Sequence, residues 1–146
     1  MKKIFASVLL ILVLASVLFL ALQGPAETNA LSNRVWQFFK YLGYKGTNHQ
    51  FRSDFHLIEY FVVGLASILF CQAMGWKIWI GAAMAMMIGL LEETLKIFLP
   101  TREFGAADLV KDCIGVLIAT VIVFTTDSVR RMVHKIEQSS IKAGTH

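Results

Sequence analysis

IGLLEETLKIFLPTREFGAADLVKDCIG, residues 88 to 115, sets acids and bases within and between two segments that are otherwise apolar enough for a bilayer. On insertion scales a charged side chain at the centre of a spanning helix costs about 2.5–3.5 kcal/mol, and less near an interface, so charges here are expected to be paired, hydrated or functional. Glu92, Glu93, Lys96, Arg102, Asp108, Lys111 and Asp112 form a near-balanced set of both signs. That balance predicts side chains that answer one another across a helix, a turn and a second helix. The rest of the chain reads as their scaffold.

Composition agrees. The 146 residues are 56% hydrophobic with a mean hydropathy of +0.62, above the roughly 45–50% apolar content of a soluble domain. A length near 150 residues argues for one domain, here a transmembrane domain over residues 1–126 followed by a polar tail over 127–146. The net charge of +4 is spread through loops and ends with no basic, aromatic-interleaved face, so nucleic acid is not an expected partner. Cys71 and Cys113 both fall in apolar runs. They read as small buried hydrophobes rather than a disulfide or zinc-thiolate pair.

Four spans are expected. Ile4 to Leu22 follows Lys2-Lys3 and is long enough to cross a hydrocarbon core about 30 Å thick. It exceeds the roughly 7–15 residue apolar region of a signal peptide, so it reads as a retained helix. Leu57 to Met74 is the second span. After Gly75 the chain turns back through Trp76 to Leu91, with the pattern continuing to Leu99 before Pro100; Trp76 and Trp79 suit an interfacial belt. Leu109 to Thr126 is the fourth despite Lys111 and Asp112. Between the first two spans, Gly24-Pro25 opens a polar stretch in which Leu31, Val35, Phe38, Phe39 and Leu42 recur at helical spacing. This is a short amphipathic helix, either lying in the interface or packed on the bundle. The expected fold class is therefore all-α: an integral bundle of four transmembrane helices with an amphipathic helix in the first outer loop. The modest excess of Lys and Arg near both ends predicts cytoplasmic termini in a cell membrane, which sets the start of span two, the end of span three and the start of span four at the outer face.

Three stripes converge there. His56, Tyr60, Gly64, Ser67 and Cys71 share one helical face, as do Gly81, Ala85, Gly89 and Glu93, and as do Asp108, Asp112, Gly115 and Ala119. In each, polar residues at the outer end lie in line with small residues that permit close helix approach. His56, Tyr60, Glu93, Asp108 and Asp112 are thus expected to face one outward-opening pocket, with Lys96, Lys111 and Arg102 close enough to neutralise them. His56 with Glu59, Glu93, Asp108 and Asp112 offers donors suited to Mn, Mg or Ca. The four bases nearby argue against a metal, and neither metal nor cofactor is expected.

The spacing of these residues carries a resemblance over nearly the whole chain. Arg52 precedes His56 by four residues, Tyr60 follows four later, and Glu59 supplies the acid before it. Glu93, Lys96, Pro100, Arg102, Asp108, Asp112 and Gly115 continue the pattern, and Gln23, Pro25, Thr28 and Ser32 match a weaker early signature in which Ala21 replaces a Ser. In this the chain resembles the VanZ-like family, which is associated with teicoplanin resistance. Lys96 departs from the family's Gln: it adds a positive charge three residues after Glu93 and four after Glu92, where an internal ion pair would replace a neutral amide.

The resemblance implies a four-helix membrane protein but no defined reaction. The leading expectation is a protein of the cell envelope that binds an envelope component or amphiphilic antibiotic through a polar pocket of Arg52, His56, Glu59, Tyr60, Glu93, Lys96, Arg102, Asp108 and Asp112. A lipid-linked cell-wall precursor or a lipoglycopeptide would offer a head to the charges and a tail to the helices. The rival is an intramembrane enzyme acting on a lipid-linked substrate, with His56 as general base and Glu93 or Asp112 orienting it; no Ser or Cys stands convincingly beside His56 as a nucleophile. A third class is an accessory subunit whose charged stripes bind a membrane-protein partner.

Overall fold

A computed structural model describes residues 1–22, 25–98 and 105–143, the side chains of 25–29 and 141–143 excepted. The described residues form five helices and no strand: α1 (Lys2–Leu22), α2 (Pro25–Tyr41), α3 (Asn48–Ala73), α4 (Ile78–Lys96) and α5 (Ala106–Ala143). Four of them, α1, α3, α4 and α5, are long and apolar enough to cross a membrane. Large apolar side chains such as Phe5, Leu12, Phe19, Leu90, Leu117 and Phe124 point outward, the arrangement expected when the solvent is lipid. The protein is an all-α, multi-pass membrane bundle.

In hydrocarbon the hydrophobic effect does not hold helices together, so van der Waals fit and interhelical polar contacts must. The fit comes from the small-residue stripes. A Cβ on Gly115 would lie 2.4 Å from the Leu57 carbonyl oxygen and 2.8 Å from the Phe61 nitrogen, and one on Gly81 would lie 2.6 Å from the Ile68 Cα. Backbone therefore meets backbone at two crossings, α5 on α3 and α4 on α3. The central helix α3 packs against all four others, most extensively α5. Around it Val17, Tyr60, Val63, Ala85 and Val116 make the apolar core.

The turns follow local chemistry. Thr47 caps α3 in a reciprocal box with Gln50: the Thr47 hydroxyl accepts from the Gln50 N–H (3.2 Å) and the Thr47 N–H donates to the Gln50 side chain (2.8 Å). Gly75, at φ +82°, turns the chain from α3 into α4, a left-handed conformation that suits a residue without Cβ. Trp76 and Trp79 sit exposed beside it.

Two expectations resolve further. On α2, Val35 and Phe39 pack inward while Leu31 and Phe38 stay exposed, and Phe39 packs on Phe51 of α3 with ring centroids 5.3 Å apart and planes tilted by 43°. The Trp36 indole donates to the Gly46 carbonyl (3.0 Å) and Ser32 to Asn48 (2.8 Å), so α2 is docked on the start of α3 and still shows an apolar edge outward. The polar tail is helical as far as Ala143: α5 runs unbroken for 38 residues, about 57 Å at 1.5 Å per residue. The early-signature positions Gln23, Pro25 and Thr28 fall outside the described residues or side chains, as do Pro100 and Arg102.

Candidate functional site

The polar ends of α3, α4 and α5 meet at one end of the bundle. Helix periodicity explains why. On α3, Ser53, His56 and Tyr60 recur at i, i+3 and i+7; on α4, Gly89, Glu92, Glu93 and Lys96 occupy the buried face; on α5, Asp108 and Asp112 are one turn apart. Gly89 opens the space that brings them together, since a Cβ there would lie 2.9 Å from the Tyr60 ring and 3.4 Å from an Asp112 oxygen.

Two polar groupings result. In the buried one, the Tyr60 hydroxyl donates to Glu92 (2.7 Å), and the Lys96 ammonium contacts Glu93 directly and lies 3.7 Å from Glu92. The other oxygen of Glu93 accepts the Gly105 N–H (2.9 Å), tying α4 to the start of α5. Tyr60 and Glu93 are fully buried, and Glu92, Lys96 and Asp112 nearly so. Lys96, where the family resemblance has Gln, thus makes the internal ion pair its spacing predicts. In the outer grouping the Lys111 ammonium donates to Ser53 (2.8 Å) and Asp54 (2.9 Å), and Ser53 donates to Asp108 (2.8 Å).

His56 stands between the two. Its Nδ1 is 3.3 Å from an Asp112 oxygen and its Nε2 is 4.0 Å from Asp108. The shorter approach is within ion-pair reach but outside hydrogen-bond geometry: His56 Nδ1 and both Asp112 oxygens are buried without a hydrogen-bond partner.

Beside this network a cleft of about 210 Å³ runs between the end of α1, α2, α3 and α4. Leu20, Leu31, Val35, Phe51 and Phe55 form its apolar wall, and Arg52, His56, Glu59 and Glu92 its polar part. Of the expected pocket residues, Arg52, His56 and Glu59 line this cleft. Tyr60, Glu93, Lys96 and Asp112 are sealed into the bundle, and Asp108 belongs to the outer grouping. Arg102 lies outside the described residues. Lys111 departs from the expectation that it would neutralise the stripe acids, since its partners are Ser53 and Asp54.

Sequence reasoning placed Glu92 in the balanced charge set and within ion-pair spacing of Lys96 but left it out of the pocket, and it gave no site role to Ser53 or Asp54. Glu92 had a signal: steps of four residues drift by about 40° on a 3.6-residue helix, so beyond Gly89 the face is shared by the i+3 and i+4 positions. Ser53 lies three residues before His56 and shares its face. Asp54 had none, because its role depends on where Lys111 points.

His56, Glu92 and Glu93 place one potential metal-donor atom each within 4.8 Å of one another. Chemically the arrangement can hold a cation among buried carboxylates, or present an imidazole backed by a carboxylate to whatever enters the cleft. Comparison with protein-family models, curated proteins and solved structures finds no match to this chain.

Proposed function

We propose that this is a VanZ-like protein of the cell membrane whose cleft binds an amphiphile, either an envelope component such as a lipid-linked wall precursor or a glycopeptide of the teicoplanin type. One observation supports the reading above the others: the cleft joins an apolar wall of Leu20, Leu31, Val35, Phe51 and Phe55 to a polar part of Arg52, His56, Glu59 and Glu92. An acyl chain and a polar head attached to it require those two surfaces side by side, and small-ligand sites generally combine apolar lining with a few placed polar groups. In this reading both termini are cytoplasmic and the cleft opens at the outer face. A cysteine introduced at Asn48 is then labelled from outside, and a reporter after His146 is cytoplasmic.

The test is binding of teicoplanin and of a lipid-linked precursor to the purified protein in detergent. Saturable binding weakened by Phe55→Ala and by Glu59→Gln supports the proposal; wild-type protein that binds neither compound overturns it. A second reading draws on His56, which lines the cleft with Asp112 behind it, the pairing of a general base and its orienting acid. Turnover of the precursor, lost in His56→Gln while binding persists, would make the protein an enzyme. Stoichiometric copurification of a membrane-protein partner would favour an accessory subunit.

A further inference from the structure

Residues 28–53 carry Arg34, Lys40, Lys45 and Arg52 and no acid, a stretch of one sign that includes most of α2 and the turn after it. The contacts of α2 fix which way it faces. With about 100° between successive residues, Leu31 and Phe38 share one exposed flank, while Asn33 and Lys40 share the opposite one. Arg34 is exposed between the two, about 60° around from Leu31. Ser32, Val35, Trp36 and Phe39 make the remaining, half-buried side.

The two flanks differ in depth. Leu31 lines the cleft beside Leu20, Phe55 and Glu92, all within spanning helices, whereas Asn33 accepts a hydrogen bond (2.7 Å) from Asn48, the first residue of α3. The apolar flank therefore turns toward the bilayer and the polar flank toward water. At the end of the helix Tyr41 and Leu42 are exposed as well.

We propose that the outward face of α2 and the turn after it bind the headgroups of anionic phospholipids in the leaflet at this end of the bundle. A helix with an apolar flank edged by basic residues lies at the headgroup boundary and draws anionic lipid to its bases. Arg34 stands at that edge, where its stem can run along the apolar flank while the guanidinium reaches a phosphate. Lys45 is exposed in the following turn. Among the described residues neither forms an ion pair or side-chain hydrogen bond, so both charges are open to a ligand. The Lys40 ammonium lies 4.9 Å over the Trp36 ring, and Trp36 is tied to Gly46, which holds a third positive charge on the same element. A soluble acidic partner would match the bases but leave Leu31, Phe38 and Leu42 in water. Neutral lipid would cover those side chains and leave the bases unmatched. An anionic leaflet answers both, whatever the cleft binds.

The full chain is purified in detergent and given equal amounts of phosphatidylglycerol and phosphatidylcholine, and the lipids it retains are counted by native mass spectrometry. Phosphatidylglycerol should be retained in preference, and Arg34→Gln combined with Lys45→Gln should lower that preference by about tenfold. Arg130→Gln combined with Arg131→Gln removes the same charge from the exposed far half of α5 and should leave the preference near the wild-type value. No preference in the wild type, or an equal loss in the two double variants, overturns the proposal. Displacement of the lipid by inorganic phosphate but not by chloride at equal ionic strength would mark a site for a free anion and overturn it too. Depth is read in phosphatidylglycerol bilayers, with Cys71 and Cys113 replaced by Ala. A spin label at Phe38 should be relaxed more by oxygen, which dissolves in lipid, and one at Lys40 more by a water-soluble nickel chelate; the reverse order contradicts the proposed orientation.

Discussion

The two ends of the α3–α4–α5 bundle solve the same packing problem differently. At the end near Gly75, backbones touch through Gly81 against Ile68, Cys71 meets Met84 sulfur to sulfur at 3.7 Å, and Gln72 donates to Asp127. At the other end the helices are joined by Tyr60–Glu92, Glu93–Gly105 and Ser53–Asp108, while Lys96 pairs with Glu93 within α4, with His56 and Asp112 close but not hydrogen-bonded. The first end is held mainly by shape. The second is held by charge and, among the described residues, leaves His56 Nδ1 and the Asp112 carboxylate buried without hydrogen bonds, against the single Ser67 hydroxyl at the first. A bundle that needed only to stay folded could have used shape at both ends, so the costly end is where function belongs.

The contrast breaks most sharply at Lys96. Removing one partner of a desolvated ion pair commonly costs about 3–5 kcal/mol, because it strands the other charge, so Lys96→Met should lower the detergent melting temperature more than any other single change considered. A stability equal to wild type would mean that the Lys96–Glu93 pair is not desolvated as described. Next come the shape-dependent crossings. Gly81→Ala and Gly115→Ala put a methyl group into backbone contact and should each destabilise by about 1–3 kcal/mol, with equilibrium unfolding in SDS as the readout. If both variants match wild type, the helices do not approach as closely as described. Smaller still is the outer grouping: Ser53→Ala removes hydrogen bonds to Asp108 and Lys111 and should cost about 0.5–1.5 kcal/mol in the same assay. Lys111→Ala loses a half-exposed pair with the exposed Asp54, worth about 0–1 kcal/mol. A Lys111 effect as large as that of Lys96 would make the outer grouping part of the same desolvated network. Lys45→Ala, at an exposed position, should leave melting unchanged.

Much of the fold was legible because bilayers impose long apolar runs and because small residues at helical spacing mark the faces on which membrane helices approach closely. Gly81, Ala85 and Gly89, and likewise Gly115 and Ala119, were expected at interfaces and are buried there. The meeting of the polar ends was legible for the same reason, since His56, Glu93 and Asp112 lie in line with those small residues. What the sequence did not disclose is how the set divides. Spacing places a residue on a face but does not fix which neighbour a flexible side chain reaches, and so Lys111 pairs with Asp54 and Ser53 rather than with Asp108 or Asp112. Burial depth was equally hidden: Tyr60 and Glu93 are sealed while Glu59, from the same turn of α3 as Tyr60, lines the cleft. The cleft's apolar wall draws on α1, α2 and α3 at once, a conjunction no periodicity within one helix can reveal.

The length of α5 has a mechanical side. Between Val116 and Ala143 there is neither glycine nor proline, the usual causes of a kink. Hydroxyls of Thr120, Thr125, Thr126 and Ser128 bond back to carbonyls one turn earlier, which bends a helix slightly without interrupting it. Asp112 and the basic residues Arg130 and Arg131 therefore ride on a single rod that outreaches a hydrocarbon core about 30 Å thick. The projecting half and the buried polar end thus belong to one continuous helix, whose Asp112 stands 3.3 Å from His56 Nδ1.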